Sequence, residues 1–143
     1  MASGTLVDAN VLLDVLTEDP VWLDWSAGML LAAAESGPLW INPVVYAEVS
    51  ARFTRIEDLE DALPAEDYRR AQLPWEAAFL AGKAFLQYRR RGGPRSSTLP
   101  DFFIGAHAAV ARIDLLTRDA GRFRTYFPSV HLITPAVGMS SWP

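Results

Sequence analysis

Thr5-Leu-Val-Asp8-Ala-Asn10-Val-Leu-Leu-Asp14-Val-Leu16 is the stretch that decides the fold. Residues 5–7 form a short apolar run with β-branched members, which predicts a buried strand. A second apolar run, long enough for a helix, follows Asp8 and Asn10. In open α/β sheets ligands gather beyond the carboxyl ends of the strands, so Asp8 stands where a carboxylate can meet a ligand.

The composition predicts one globular domain spanning residues 1–143, with about two thirds of the unfolded surface buried. No apolar run approaches the ~18 residues of a membrane span, and the Met-Ala-Ser-Gly start lacks the basic segment of a secretory signal. The chain has no cysteine, which excludes disulfides and thiolate metal sites. We therefore expect a cytoplasmic protein without a membrane partner.

Charge is distributed unevenly along the chain. The net charge of −4 argues weakly against a general nucleic-acid binder. However, residues 1–82 carry 14 acids against 4 bases, whereas residues 83–143 carry 3 acids against 9 bases. Nearly all the bases are arginines, whose guanidinium group suits bidentate contacts with phosphate or carboxylate. The second half of the chain is therefore basic.

Strands and helices are predicted to alternate, which implies an α/β fold with a mainly parallel central sheet flanked by helices. The Pro and Gly signals at the ends of the apolar segments set the predicted boundaries. We predict strands at 4–7, 39–41, 113–117 and 130–133, helices at 10–17, 22–35, 43–53, 56–63, 74–91 and 101–112, an acidic loop around 66–67, and a helical turn around 122–123.

The longest predicted helix, 74–91, has one apolar face and one polar face. Because Trp and Phe at helical spacing usually belong to the core, we expect the apolar face to be buried. That face carries Trp75, Phe79, Gly82 and Leu86, and the opposite face carries Glu76, Lys83, Gln87 and Arg90.

Four acids are expected to converge at one edge of the sheet. Asp8 and Asp119 each follow a predicted strand, while Glu48 and Asp101 lie early in helices that begin after a proline. Four neighbouring carboxylates would repel one another unless a cation neutralised them. Oxygen ligands favour Mg²⁺ or Mn²⁺ over Zn²⁺, and such a site suits phosphodiester hydrolysis by a metal-activated water.

Each acid also has a structural explanation. Asp8 could serve only as a helix N-cap, and Glu48 could pair with Arg52 one turn away. Asp101 could be a first-turn acid favoured by the helix dipole, and Asp119 could be a turn residue. Four such coincidences in this order are improbable, so we prefer the metal site.

Two polar residues are candidates for supporting this site, Asn10 and Thr117, although either could satisfy backbone groups instead. For Asp14 we expect a solvent or helix-partner role rather than metal ligation. His107 is predicted to be a packed or hydrogen-bonded helix residue, and His131 receives no role. Without a well-placed His or Cys, activated water is the natural nucleophile.

The basic segment that ends the 74–91 helix is a candidate contact for RNA phosphates. Its competing explanation is favourable placement of arginines in the last turn of a helix. The residues concerned are Arg89, Arg90, Arg91 and Arg95, with Arg118 extending the positive charge.

Several motifs together resemble the PIN-domain ribonucleases, and among them the VapC-type toxins of toxin–antitoxin pairs. They are Leu6-Val-Asp8-Ala-Asn10-Val-Leu-Leu13, Glu48 in a helix after a proline, Leu99-Pro-Asp101-Phe-Phe-Ile-Gly-Ala-His-Ala108, Leu116-Thr117-Arg-Asp119 and Arg122-Phe-Arg-Thr-Tyr-Phe-Pro128. The resemblance implies a PIN-like three-layer sandwich, with Asp8, Glu48, Asp101 and Asp119 as metal-binding acids supported by Asn10 and Thr117.

The resemblance further implies a Mg²⁺- or Mn²⁺-dependent endoribonuclease that acts as a toxin, a cognate antitoxin partner and a homodimer. The apolar helices at 22–35 and 43–53 are candidate partner surfaces. One alternative is aspartyl-phosphate chemistry, as in dehalogenase-like phosphatases, but Lys83 is the only lysine and Asn10 replaces the second acid. The other alternative is a non-catalytic PIN-like module that binds RNA or a partner.

Overall fold

A five-stranded, all-parallel sheet forms the centre of the molecule. The computed structural model describes residues 3–93 and 99–135. The strand order is β3-β2-β1-β4-β5, so the chain changes direction across the sheet between β1 and β4. The strands are β1 Thr5–Val7, β2 Leu39–Ile41, β3 Tyr68–Arg70, β4 Asp114–Leu116 and β5 Leu132–Ile133.

Helices connect these strands and cover the sheet, as the sequence predicted for an α/β fold. Right-handed crossovers place the helices before and after the change of direction on opposite faces of a parallel sheet. In the described residues the helices are α1 Ala9–Leu16, α2 Leu23–Ser36, α3 Pro43–Ser50, α4 Ile56–Ala62, α5 Trp75–Arg90, α6 Leu99–Ala111 and α7 Gly121–Tyr126. None of them is long and apolar enough to cross a membrane.

The register of the central strands brings their carboxyl ends level. Val7 of β1 pairs with Leu116 of β4, and both side chains are fully buried. One further ladder bond runs from the Asp8 N–H to the Leu116 carbonyl, at 2.9 Å. Asp8 and Thr117 therefore lie side by side just beyond the sheet, in the crevice where parallel α/β sheets bind ligands.

Strand β3, directly after the acidic loop predicted around 66–67, was not predicted from the sequence. It forms at the sheet edge through parallel pairing of Tyr68 with Leu39 and of Arg70 with Ile41. The sequence hides it because two of its three residues are exposed arginines, so no apolar run marks it. Helix α3 is also shorter than predicted and ends at Ser50 rather than near Phe53.

The predicted burial of the apolar face of α5 is wrong. Trp75 is 88% exposed and Phe79 is 68% exposed, whereas Ala77, Ala81 and Ala84 are buried. Helix α5 packs closely against α6, and small side chains on the contacting face allow that approach. The buried face of α5 is therefore formed by alanines rather than by Trp75 and Phe79.

Candidate active site

Asp8 is the most buried acid at the carboxyl edge of the sheet, with 5% of its surface exposed. It precedes α1 but makes no side-chain capping bond, so the N-cap explanation does not account for it. Its Oδ2 instead accepts a 2.8 Å hydrogen bond from the Thr117 hydroxyl. Burial, with smaller contributions from the Asp101 and Glu48 charges, raises the pKa of Asp8 to about 7 against the lowering effect of Thr117.

Thr117 connects the ends of β1 and β4. Its Oγ1 donates to Asp8 and accepts the Asp119 N–H at 3.1 Å and the Asn10 amide at 3.4 Å. Asn10 also accepts the Arg118 N–H through its Oδ1, at 3.4 Å. The structure thus brings Asp8, Asn10, Thr117 and the backbone of Asp119 into one hydrogen-bonded group, while the Asp119 residue itself is exposed.

Glu48, on α3, contributes a carboxylate with an unmatched buried oxygen. Its Oε1 is buried and has no hydrogen-bond partner among the described residues. Burial, together with the Asp101 charge, raises the pKa of Glu48. A buried carboxylate oxygen without a donor is costly unless a ligand satisfies it, so this oxygen is a candidate ligand atom.

Helix α3 is held in place by Asn42 and His107. The Asn42 side chain caps the helix by accepting the Val45 N–H at 2.9 Å, and its amide nitrogen lies 3.0 Å from His107 Nδ1. Burial lowers the pKa of His107, which favours a neutral ring that accepts the Asn42 amide proton. His107 is therefore the packed, hydrogen-bonded helix residue that the sequence predicted, and it links α6 to the start of α3.

Asp101, in the first turn of α6, is paired with Arg122 of α7 at 2.5 Å. The guanidinium of Arg122 also lies 5.4 Å from the centroid of the Tyr88 ring. Burial raises the pKa of Asp101, Arg122 lowers it, and the Asp119 charge raises it again. The sequence did not indicate this ion pair, because nothing in the chain specifies which acid the arginines of α7 meet.

The four acids interact electrostatically without forming a closed ligand cage. Asp101 acts on the pKa of both Asp8 and Glu48, and Asp119 acts on that of Asp101. As the side chains stand within residues 3–93 and 99–135, no three acids or histidines are grouped closely enough to hold a metal ion. The all-oxygen donors and the unmatched oxygen of Glu48 nevertheless fit a hard divalent cation.

Asp14 is buried and does not face solvent. It accepts two bonds from the Arg118 guanidinium, at 2.6 and 2.9 Å, and one from the Ser26 hydroxyl at 2.7 Å. The Ser26 bond gives Asp14 the helix-partner role that was one of the two predicted options. The guanidinium of Arg118, a candidate contact for RNA phosphates, is bound to Asp14 in this structure.

The basic end of α5 reaches the neighbourhood of the site through aromatic rings. The guanidinium of Arg91 lies 5.4 Å from the Tyr126 ring, which packs edge-on against Tyr88 beneath Arg122. Arg89 and Arg90 are exposed in the last turn of α5. Arg95 lies outside the described residues, so its predicted contact has no structural counterpart here.

Comparison with known proteins identifies the class. The family model for the PIN domain matches residues 5–127, so the chain belongs to the PIN-domain family. A comparison with curated protein sequences gives no match.

Solved structures share this fold at low sequence identity. VapBC2 from Rickettsia felis, solved bound to a DNA fragment from its promoter, has a TM-score of 0.69 at 16% identity and covers 91% of this chain and 97% of that chain. VapBC-1 from nontypeable Haemophilus influenzae has a TM-score of 0.67 at 17% identity, covering 91% and 96%. A toxin–antitoxin complex from Klebsiella pneumoniae has a TM-score of 0.65 at 21% identity, covering 93% and 98%.

Proposed function

We propose that this PIN-domain protein is a divalent-metal-dependent endoribonuclease and the toxin of a toxin–antitoxin pair. The observation that carries the proposal is the acid group beyond the switch from β1 to β4, where the charge of Glu48 acts on buried Asp8 and the Glu48 Oε1 is buried without a hydrogen-bond partner among the described residues. Such a group is unfavourable in the absence of positive charge. The PIN-domain match and the likeness to solved toxin–antitoxin complexes support the same conclusion.

Asp8, Glu48, Asp101 and Asp119 are the proposed ligands of Mg²⁺ or Mn²⁺. When bound, such an ion supplies an activated water and stabilises charge on the phosphate. Thr117 orients the Asp8 carboxylate and the Asp119 backbone, and Asn10 supports Thr117. Arg122 competes with the cation for Asp101 and, once released, is a candidate partner for an RNA phosphate.

An antitoxin and a second copy of the chain are the proposed protein partners. The solved toxin–antitoxin complex from Klebsiella pneumoniae has a similar fold, which supports the antitoxin. Helices α2 and α3 remain the proposed partner surfaces, and Leu31 on α2 is 64% exposed. Exposed apolar side chains of this kind favour a protein contact when they form part of a larger patch.

RNA cleavage by protein freed of any antitoxin tests the proposal. We expect cleavage with Mg²⁺ or Mn²⁺, none with EDTA, and loss of at least about 100-fold of the rate in Asp8→Asn and Asp101→Asn. Asp58→Asn, at an exposed position on α4, is the matched control and should cleave like the wild type.

Three results would count against the nuclease. Cleavage that persists in EDTA, or cleavage that is unchanged in both variants, would show that another site or a contaminant acts. Wild-type protein that binds RNA but cuts no RNA tested, with either metal, would favour the non-catalytic binding module.

The phosphatase alternative requires a lysine near the acid that follows the first strand, and the position of Lys83 does not support it. Lys83 lies on α5 with its ammonium 5.2 Å from the Phe79 ring, on the exposed face of that helix. A beryllofluoride adduct on Asp8 would revive this alternative.

A further inference from the structure

Arg118 and Asp14 form a bidentate ion pair between the loop after β4 and helix α1. The Asp14 side chain is 3% exposed and that of Arg118 is 28% exposed. Ser26 donates a third bond to the Asp14 carboxylate, and the Arg118 guanidinium lies 5.1 Å from the Trp22 ring centroid. The bidentate bonds to Asp14 and the contact with the Trp22 ring together fix the orientation of the planar guanidinium. A lysine ammonium, which acts as a point charge, would not be oriented in this way.

This ion pair is connected to the acid group by the chain itself. Arg118 lies between Thr117, which bonds Asp8, and the proposed ligand Asp119. Residues 118–120 form neither helix nor strand, so the sheet does not set their conformation. This segment is held by the Arg118 side chain, by the Arg118 N–H bonded to Asn10, and by the Thr117 hydroxyl.

We propose that Asp14 and Arg118 are a positioning pair that sets where Asp119 and Thr117 stand relative to Asp8. The inference rests on the proposed function. In this role neither side chain contacts the metal or the RNA, and both act through the 117–119 segment. Outer groups that orient metal ligands change metal affinity or activity by roughly 10- to 100-fold when they are removed.

The competing role for Arg118 is direct contact with an RNA phosphate. Substitution of Asp14 distinguishes this role from the positioning role. As a phosphate contact, Arg118 would need to leave Asp14, so Asp14→Asn would strengthen RNA binding or leave it unchanged. As a positioning residue, Arg118 needs Asp14, so Asp14→Asn and Arg118→Gln should have the same defect.

The experiment compares Asp14→Asn, Arg118→Gln and the double variant with wild type by Mn²⁺ titration calorimetry, RNA cleavage kinetics, and RNA binding in EDTA over a range of salt concentrations. We expect Mn²⁺ affinity or kcat to fall roughly 10- to 100-fold in each single variant, with KM nearly unchanged. The double variant should be no worse than the single ones, since the pair acts as a unit. The exposed pair Arg55 and Glu57, changed to glutamine, is the control and should match the wild type.

The outcomes separate the inference from the proposed function. Wild-type Mn²⁺ affinity and kcat in folded Asp14→Asn would overturn the positioning role, as would a shallower salt dependence of RNA binding confined to Arg118→Gln. If Asp14→Asn fails to fold by circular dichroism, Arg118→Lys, which keeps the charge without the bidentate geometry, decides by the same measurements. A wild type that cuts no RNA defeats the nuclease, while the Mn²⁺ titrations still decide the positioning role.

Discussion

At the scale of single residues, the acids of the candidate site are held by partners from distant parts of the chain. The positions of Asp8 and Asp119 follow from strand ends, which local apolar patterns reveal. The bonds from Thr117 to Asp8 and from Arg122 to Asp101 join residues far apart in the chain, at separations of 109 and 21. Such partners depend on strand register and helix packing, which no single segment encodes.

The buried Asp8 should make metal-free protein less stable as the pH rises. The pKa of Asp8 is about 7 in the folded protein and near 3.8 when unfolded, so its favourable contribution is complete below pH 4 and is lost as pH rises to about 7. Between pH 5 and 8 this one group lowers the free energy of unfolding by roughly 2–3 kcal/mol.

Substitution Asp8→Asn removes that titration, so the variant should lose less unfolding free energy than wild type between pH 5 and 8. Urea unfolding in EDTA at both pH values measures the difference, with Asp58→Asn as the control. Glu48 and Asp101, whose pKa values are also raised, contribute in the same direction and remain in the variant. Equal pH dependence in Asp8→Asn and wild type would contradict a buried, protonated Asp8.

At the scale of elements, α6 is fixed against α7 by the absence of a side chain at Gly105. A Cβ built there would overlap the Phe127 ring and lie 3.0 Å from Phe123. This contact sets the distance between the helix that carries Asp101 and the helix that carries Arg122.

We expect Gly105→Ala to destabilise the protein by about 1–3 kcal/mol, because two packed aromatic rings must move. Gly82→Ala on α5 is the control: nothing lies within 4 Å of its added Cβ, so helix propensity should make it neutral or more stable by up to ~1 kcal/mol. Urea unfolding measures both. Similar effects of the two substitutions would show that α6 and α7 pack less tightly than described.

The buried face of α5 was predicted wrongly because the prediction followed its large apolar residues. Amphipathic patterning treats large apolar residues as the core, yet α5 buries Ala77, Ala81 and Ala84 and leaves Trp75 and Phe79 exposed. The number of alanines in a helix does not reveal whether they face a neighbour; that depends on how closely the neighbour approaches. Strand β3 escaped prediction for a related reason, since its partner strand, not its own sequence, makes it a strand.

The exposed face of α5 leads to a direct check. Trp75→Gln and Phe79→Gln should each change the free energy of unfolding by no more than about 0.5 kcal/mol, because both side chains are mostly exposed. Phe102→Ala, at a fully buried ring on α6, should cost about 3–5 kcal/mol in the same urea experiment. If Trp75→Gln lowered the free energy of unfolding by 2 kcal/mol or more, the Trp75 face of α5 would have to be buried, contrary to the structure.

At the scale of the whole molecule, the parallel α/β architecture was the part of the fold most accessible from sequence, whereas the order of the strands was not predicted. Alternating strands and helices require parallel pairing, and parallel pairing aligns the carboxyl ends that carry Asp8 and Thr117. The basic second half of the chain supplies most of the arginines around these acids, while Asp8 and Glu48 come from the acidic first half. The site is therefore built where the two halves meet, between β1 and β4.

The same arrangement predicts that a divalent cation stabilises the whole fold. A cation that binds only the native state adds about 2.7 kcal/mol at 100 times its Kd, which corresponds to a rise in Tm of roughly 10 °C for a domain of this size. We expect that rise for wild type with Mn²⁺ at pH 8 in a thermal unfolding scan, and a smaller one at pH 6, where the ion must displace the Asp8 proton. Asp8→Asn should show little shift, whereas the exposed Asp58→Asn should respond like the wild type. A Tm that Mn²⁺ leaves unchanged at both pH values would mean that the four acids do not share a cation.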